Sequence, residues 1–228
     1  MVIVKNKTVL ITGASKGIGF ALSLKMLSEG YFVIGTSRTG VIQSVAHENF
    51  LPIALDITRT ESINKAHQLL LDRFDTIDSI INNAGIGTDL NQLTPDQDSF
   101  DSTFAVNVRG VVFFTEPLLD LLSKKGSIIM ISSKMGSVGT CVAPDSVAYR
   151  MSKSAINMYT KILANRFSDH YRVAAVHPGY VKTAISETAK VHGRLTPEQS
   201  AENIFTFLES DFRTGVFWDS EAGTELTW

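Results

Sequence analysis

Tyr149 and Lys153 stand four positions apart in the stretch Ala148-Tyr-Arg-Met-Ser-Lys153. On a helix these positions share one face, so the lysine ammonium can lie beside the tyrosine phenol. A free tyrosine titrates near pKa ~10, and a neighbouring cation favours its phenolate. The expectation is a phenol whose pKa Lys153 draws down, able to give up a proton near neutral pH. Reduction of a carbonyl group needs such a donor. A tyrosine and a lysine on one helical face can also be a mere solvated edge, so the pair has to be read with the other motifs.

The second chemical signal is Thr12-Gly-Ala-Ser-Lys-Gly-Ile-Gly19, which follows the apolar run Val9-Leu-Ile11 and opens an amphipathic stretch. Gly13, Gly17 and Gly19 are spaced G-x-x-x-G-x-G, not the G-x-G-x-x-G of the common dinucleotide fingerprint. The physics is shared. Glycines permit a tight turn, and the helix N-terminus presents free N–H groups to a pyrophosphate. Gly13, Ser15, Lys16, Gly17, Ile18 and Gly19 are therefore candidate cofactor contacts; the alternative is a strand-to-helix turn without a ligand.

Two further loops should gather on the same edge of a doubly wound sheet, beyond the carboxyl ends of the strands. One begins at Asp56-Ile57, where an aspartate can accept from an adenine amino group. The other is Asn82-Asn83-Ala84-Gly85, whose small residues let an adenosine lie against backbone. The strand Tyr31 to Arg38 ends without the acid that would repel a 2′-phosphate. Ser37 and Arg38 stand there instead, with Lys16 in the glycine loop, and two cations favour a phosphate. NADP(H) is thus expected over NAD(H); the alternative is that Lys16 and Arg38 are plain surface charges.

Short apolar runs alternate with amphipathic stretches along the whole chain. Strands are expected at Val9–Ile11, Phe32–Ile34, Leu51–Leu55, Ile77–Ile81, Ser127–Ile131 and Val173–Val176. Helices are expected over about 17–29, 60–74, 97–124, 147–167 and 197–209. This alternation predicts a single α/β domain spanning 1–228, a Rossmann-like doubly wound parallel sheet covered on both faces. Thr58 with Glu61, Thr94 with Gln97 and Thr196 with Gln199 are possible capping boxes, with Pro95 and Pro197 at first helical positions. Pro117 should kink or loosen its helix.

At 228 residues, 44% hydrophobic and 19% charged, the chain suits one globular domain. A net charge of -2 gives no case for nucleic acid or an anionic membrane surface. One cysteine, Cys141, excludes an intrachain disulfide and fits a reducing compartment. No signal peptide or apolar run of membrane-spanning length is read, so a cytoplasmic location without membrane insertion is expected. No metal site is expected.

Taken in order, Thr12-Gly-x-x-x-Gly-x-Gly19, Asn82-Asn-Ala-Gly85, Asn107, Ser133, Tyr149-x-x-x-Lys153 and Pro178-Gly179 resemble the short-chain dehydrogenase/reductase family along nearly the whole chain. Ala148 to Ala155, His177 to Thr183 and the ending Gly215-Val-Phe-Trp218 through Leu226-Thr-Trp228 look like its C-factor/sniffer-type carbonyl reductases. The resemblance implies that Tyr149 is proton donor in reduction and base in oxidation. It implies that Lys153 holds the nicotinamide ribose and depresses the tyrosine pKa. Ser133 would bond the substrate oxygen, with Ser132 as the alternative. Asn107 would hold a water relaying protons from Lys153. Pro178, Gly179, Val181 and Thr183 match the segment that binds the nicotinamide carboxamide, and His177 is given a structural role.

In the family it resembles, the stretch from Thr183 to Pro197 forms a lid over substrate; here it is short for one, so an open pocket is expected. Its lining is expected from Gly87, Met135, Val138, Cys141, Val142, Pro144, Tyr180 and Ile185, suited to an apolar or aromatic carbonyl or alcohol. Lys134, beside the proposed serine, could favour an anionic substrate or point to solvent. Apolar residues around the helices at 97–124 and 147–167 (Phe113, Phe114, Leu118, Leu122, Met158, Ile162 and Phe167), with the resemblance, imply a homodimer or homotetramer. The expected activity is NADPH-dependent hydride transfer between the nicotinamide and a carbonyl or alcohol substrate, that of a carbonyl reductase or alcohol dehydrogenase. A 3-oxoacyl-carrier-protein reductase and a non-catalytic dinucleotide sensor of the same fold are the alternatives.

Overall fold

The computed structural model describes residues 7–42 and 45–228. The amino-terminal stretch 1–6, read above for a signal sequence, lies outside the described residues. Eight strands form one sheet: β1 (Thr8–Ile11), β2 (Phe32–Ser37), β3 (Phe50–Ala54), β4 (Ile77–Asn82), β5 (Leu122–Ile131), β6 (Arg172–His177), β7 (Val216–Asp219) and β8 (Thr224–Glu225). Their order is β3-β2-β1-β4-β5-β6-β7-β8. All pairs are parallel except β7 with the short edge strand β8.

Seven α-helices are found among the described residues: α1 (Gly17–Ser28), α2 (Thr60–Arg73), α3 (Gln97–Phe104), α4 (Val111–Thr115), α5 (Val147–Arg166), α6 (Glu187–His192) and α7 (Pro197–Glu209). Alternation along each strand divides the core into two layers. Leu10, Ile34, Ile80 and Ile128 meet Ile63 and Leu70 of α2 and Ile156 and Leu163 of α5. On the other face Val9, Ile11, Ile81 and Ile129 meet Leu22 and Met26 of α1 and Ile204 and Phe207 of α7. Strands flanked this way show no polar alternation because neither face meets water. The order reverses about β1, with β2 on one side and β4 on the other, so the loops leaving β1 and β4 open a crevice between them.

Several local expectations need correction. The helix expected over 97–124 is four pieces: α3, a π-helical stretch at Ala105–Gly110, α4 and a 3₁₀ stretch at Glu116–Leu121 with Pro117 in its first turn. Proline lacks the N–H that would continue an α-helix, which explains the looser end. β5 already begins at Leu122, where Leu121-Leu122 had read as a continuing helical stripe; Lys125 takes a left-handed φ of 63° and Gly126 follows. β7, β8 and α6 were not anticipated. Of the three capping boxes, only Thr196 with Gln199 forms, with Pro197 in the first turn. The Thr58 hydroxyl donates to Asp56 instead, α2 starts behind Arg59, and Asp96 caps α3, leaving Pro95 outside the helix.

Candidate active site

The glycine loop turns sharply out of β1. Gly13 has φ +69°, and a Cβ there would meet the Ala84 Cα at 3.1 Å, so the loop lies against the end of β4. A Cβ on Gly19 would collide with the Gly13 carbonyl and the Asn83 amide. The clasp between the loops is made by Thr12 and Asn83. The Thr12 hydroxyl accepts from the N–H groups of Asn83 (3.0 Å) and Ala84 (2.9 Å), and the Asn83 amide donates to the carbonyls of Thr12 (2.9 Å) and Gly13 (3.2 Å). Thr12 was not singled out from the sequence, yet it joins the two loops. At the start of α1, Lys16 makes no side-chain cap, so that helix end keeps free N–H groups.

The structure brings the other expected contacts to the same edge, with differing fitness. Thr183 lies beside Gly17, where a Cβ would stand 3.5 Å from its Cγ2. Ile18, Pro178, Gly179, Val181 and Thr183 line one cavity with Ser133 and Tyr149. Asp56 is held below the usual carboxylate range, first by the Thr58 hydroxyl and also by its N–H, with Arg59 and Arg38 adding to the effect. Ile57, by contrast, is buried in the core against Gly110, so only its backbone is available to a ligand. Ser37 is buried too, its hydroxyl donating to the Val41 carbonyl at 3.2 Å. These residues fit a dinucleotide: small-residue cradles, a helix N-terminus without a side-chain cap, and exposed cations at Lys16 and Arg38.

Tyr149 and Lys153 are both buried on α5. The Lys153 ammonium donates to the Ile131 carbonyl at the end of β5 (2.8 Å) and stands 5.6 Å from the centre of the Tyr149 ring. Burial lowers the lysine pKa to about 8. Burial also pushes the Tyr149 phenol up to about 12, opposed by a hydrogen bond with Ser133. The expectation that Lys153 draws the phenol down is therefore not met: desolvation dominates, and the ammonium is turned to a carbonyl. A phenol in this state is fully protonated at neutral pH, the form that donates. Both serines of the pair line the cavity; the Ser132 hydroxyl donates to Asn157 at 2.6 Å, whereas the Ser133 hydroxyl accepts from the Met135 N–H at 3.1 Å.

Asn107 sits in the π-helical stretch, a distortion common at functional sites. Its side chain clasps the backbone of Ile86 (2.9 and 2.8 Å) and bonds the Ser152 hydroxyl (3.0 Å), with Gly85 between it and Lys153. His177 is buried, and its Nδ1 has no hydrogen-bond partner. Burial lowers its pKa to about 4 despite Asp219 nearby, so it stays neutral and cannot act as the acid at pH 7.

The cavity holds about 410 Å³. The short stretch after Thr183 supplies one wall and leaves the cavity partly open. The isolated bridge Val181–Leu195 and the bond from the Asn91 amide to Thr188 (3.1 Å) pin α6 as one wall. Met135, Tyr180 and Ile185 line it as expected. Val138 and Val142 are 75% and 96% exposed, Cys141 is exposed, and these three with Pro144 lie outside the lining, as does Gly87.

One decisive residue was missed. Ser146, before α5, is left-handed and makes no side-chain cap. Asp89, in the loop after β4 and fully buried, caps the helix from 59 positions away, accepting from the N–H groups of Ala148 (2.6 Å) and Tyr149 (3.0 Å). Such a cap has no signature in local sequence.

A nucleotide cradle at a strand edge, facing a tyrosine over a buried lysine, is the architecture of a dinucleotide-dependent oxidoreductase. A model described as short chain dehydrogenase matches residues 7–192, and the chain belongs to that family. A short-chain dehydrogenase from Penicillium roqueforti is 30% identical, covering 95% of this chain and 98% of its own. The 3-oxoacyl-[acyl-carrier-protein] reductase of Thermotoga maritima is 30% identical, covering 91% and 92%. Among solved structures, a short-chain dehydrogenase/reductase from Burkholderia multivorans with bound NADP superposes with a TM-score of 0.87 at 26% identity, covering 98% and 100%. An NADPH-bound carbonyl reductase from chicken fatty liver gives a TM-score of 0.86 at 25% identity, covering 98% and 95%. Among the described residues, no three His, Cys, Asp or Glu side chains are placed to hold a metal, and no helix is long and apolar enough to cross a membrane.

Replacing Asp89 by alanine strands two buried N–H groups at the start of α5. The expected cost is about 1–3 kcal/mol in urea unfolding, with turnover falling as Tyr149 loses its anchor and Asp89→Asn intermediate in both. An Asp89→Ala protein as stable as wild type would show that this cap does not hold the helix.

Proposed function

We propose that the protein is an NADPH-dependent oxidoreductase acting on a carbonyl or alcohol group, with Tyr149 as general acid in reduction and general base in oxidation. The observation that supports this most is the shared cavity wall of Tyr149 and Ser133 above the buried Lys153. The nicotinamide, when bound, supplies or accepts the hydride. Ser133 donates to the carbonyl oxygen and orients it; Tyr149 delivers the proton as that oxygen gains charge. Lys153 holds the ribose and, once drawn toward it, favours the phenolate that the proton leaves behind. Asn107 fixes the backbone at Ile86 and carries the water that returns protons to Lys153. Pro178, Gly179, Val181 and Thr183 seat the carboxamide.

A second reading, a 3-oxoacyl-carrier-protein reductase, is favoured by the similarity to the Thermotoga protein. A panel of aldehydes, ketones, quinones and a 3-oxoacyl thioester, followed by NADPH oxidation and product identification, separates the two. Tyr149→Phe should retain cofactor binding yet lose turnover by roughly two or more orders of magnitude, as when a positioned acid is removed. A near wild-type rate would overturn the assignment of Tyr149.

Lys16 and Arg38 make no ion pair among the described residues, which supports the preference for NADPH. Charge-assisted contacts, reduced by exposure and salt, should give NADPH an advantage of about tenfold to a few hundredfold. Arg38→Ala should weaken NADPH selectively in a titration of both cofactors. Equal loss for both would leave Arg38 a surface charge.

The assembly proposed is a homodimer or homotetramer, and the cytoplasm is its proposed location. Of the apolar residues expected at an interface, Phe114, Leu118 and Leu122 are core and Phe167 packs against it. Phe113 on α4 and Met158 and Ile162 on α5 remain 62%, 62% and 45% exposed, an apolar face that a second copy would cover. Sedimentation at micromolar concentration should show a dimer or larger; a monomer would overturn this.

A further inference from the structure

The mouth of the cavity carries a charge pattern unlike that of the whole molecule. The chain has 23 acidic residues against 21 Lys and Arg. Yet the charged side chains lining the cavity are Lys134 and Arg194, with no aspartate or glutamate among the described lining residues. These two cations differ in their availability. Arg194 donates through Nε and Nη2 to both carboxylate oxygens of Glu221 (2.6 and 2.8 Å), and Glu221 also accepts from the Tyr180 N–H at 3.1 Å. Its charge is answered within the protein. Lys134 is exposed and makes no ion pair or side-chain hydrogen bond among the described residues.

The placement of Lys134 is fixed even though its side chain is free. It opens the 3₁₀ turn Lys134–Gly136 directly after Ser133. That turn is tied at both ends. Ser133 accepts from the N–H of Met135 through its hydroxyl (3.1 Å) and from Gly136 through its carbonyl (2.8 Å). The Gly136 carbonyl in turn accepts from Ser154 (2.9 Å) and Asn157 (3.1 Å). The backbone of Lys134 is therefore held next to Ser133, and its unpaired ammonium is confined to the reach of one side chain from there. Its field is felt across the cavity, where it adds to burial in keeping His177 neutral. Met135, Tyr180 and Ile185 supply the apolar remainder of that wall.

We propose that the substrate is an oxo acid or hydroxy acid whose carboxylate is held by Lys134 while Ser133 and Tyr149 engage the carbonyl or hydroxyl oxygen. This rests on the oxidoreductase reading above and narrows its substrate class. A cation beside an apolar wall, without an internal partner, draws an anion into the cavity and selects against neutral analogues of the same shape. The carboxylate takes no part in the reaction; it positions the group that does.

The test uses benzoylformate and its neutral methyl ester, which share the phenyl-keto-carboxyl framework and differ by one charge and an O-methyl group. NADPH oxidation gives the ratio of kcat/KM for acid over ester. Lys134→Gln should lower that ratio about tenfold relative to wild type, as for loss of one charge-assisted contact, chiefly through KM for the acid. Lys134→Arg should preserve the ratio, and added salt should lower it in wild type but little in Lys134→Gln. An unchanged ratio in Lys134→Gln overturns the proposal, as does an effect confined to the KM for NADPH, which would assign the lysine to the cofactor.

Binding is read separately by fluorescence titration of the NADPH complex of Tyr149→Phe with the same two probes, with and without Lys134→Gln. Preference for benzoylformate that vanishes with Lys134→Gln supports the anion site even in an enzyme that reduces neither probe, an outcome that would count against the reductase reading alone. No preference for benzoylformate over the ester overturns the anion site, whatever the turnover.

Discussion

A buried ammonium is the constraint around which this site is arranged. Taking the charge of Lys153 out of water costs several kcal/mol unless partners answer it, and the drop of its pKa to about 8 is the mark of that cost. The protein answers with the Ile131 carbonyl, available because β5 ends there. Room for the lysine is made by a glycine: a Cβ on Gly136 would stand 2.7 Å from the Lys153 Cβ and 2.7 Å from its carbonyl carbon. The ammonium also lies over the Tyr149 ring, a geometry that favours the cation through the ring face without lowering the phenol's pKa. The phenol is therefore protonated and the ammonium is bonded to the backbone.

Everything else converges on that pair because a parallel sheet sends every strand's carboxyl end to one edge. The ends of β1 and β4 are joined directly, and α5 is tied to the second of them. Thr12, at the end of β1, binds the backbone after β4, so the glycine loop cannot move independently of Asn83. Asp89, farther along the same loop, holds the first turn of α5 and with it the backbone N–H of Tyr149. Asn107 reaches the same loop at Ile86 from the π-helical stretch and touches Ser152 on α5. The glycine loop and Tyr149 are thus both fixed to a single loop.

The substrate side is built differently. Its walls come from the turn after β5 and from the stretch around α6, pinned by Val181–Leu195 and by the ion pair of Arg194 with Glu221. Glu221 is drawn down to about 2, chiefly by that guanidinium. Arg194 is 61% exposed, so the pair contributes little to stability. Its consequence is local: it removes one cation from the cavity's unpaired charge and leaves Lys134 as the free one.

How much of this was legible follows from the range of each interaction. The glycine spacing after Val9–Ile11, the apolar strands and Tyr149 with Lys153 on one helical face are set by neighbours along the chain, and the sequence alone determined them together with the family's fold. Thr196 with Gln199 could be read for the same reason. The interrupted helix at 97–121 was read too simply, since the apolar stripe persists through π and 3₁₀ turns that depend on packing. Ile57 and Ser37 stood at the right strand ends, but their burial is a property of the assembled core. Only the tertiary structure could bring Asp89 to the start of α5, set α6 along one wall of the cavity, and raise the Tyr149 phenol where the sequence implied a fall. Those outcomes depend on which distant groups arrive and how much water they exclude, and neither is encoded in the spacing of nearby residues.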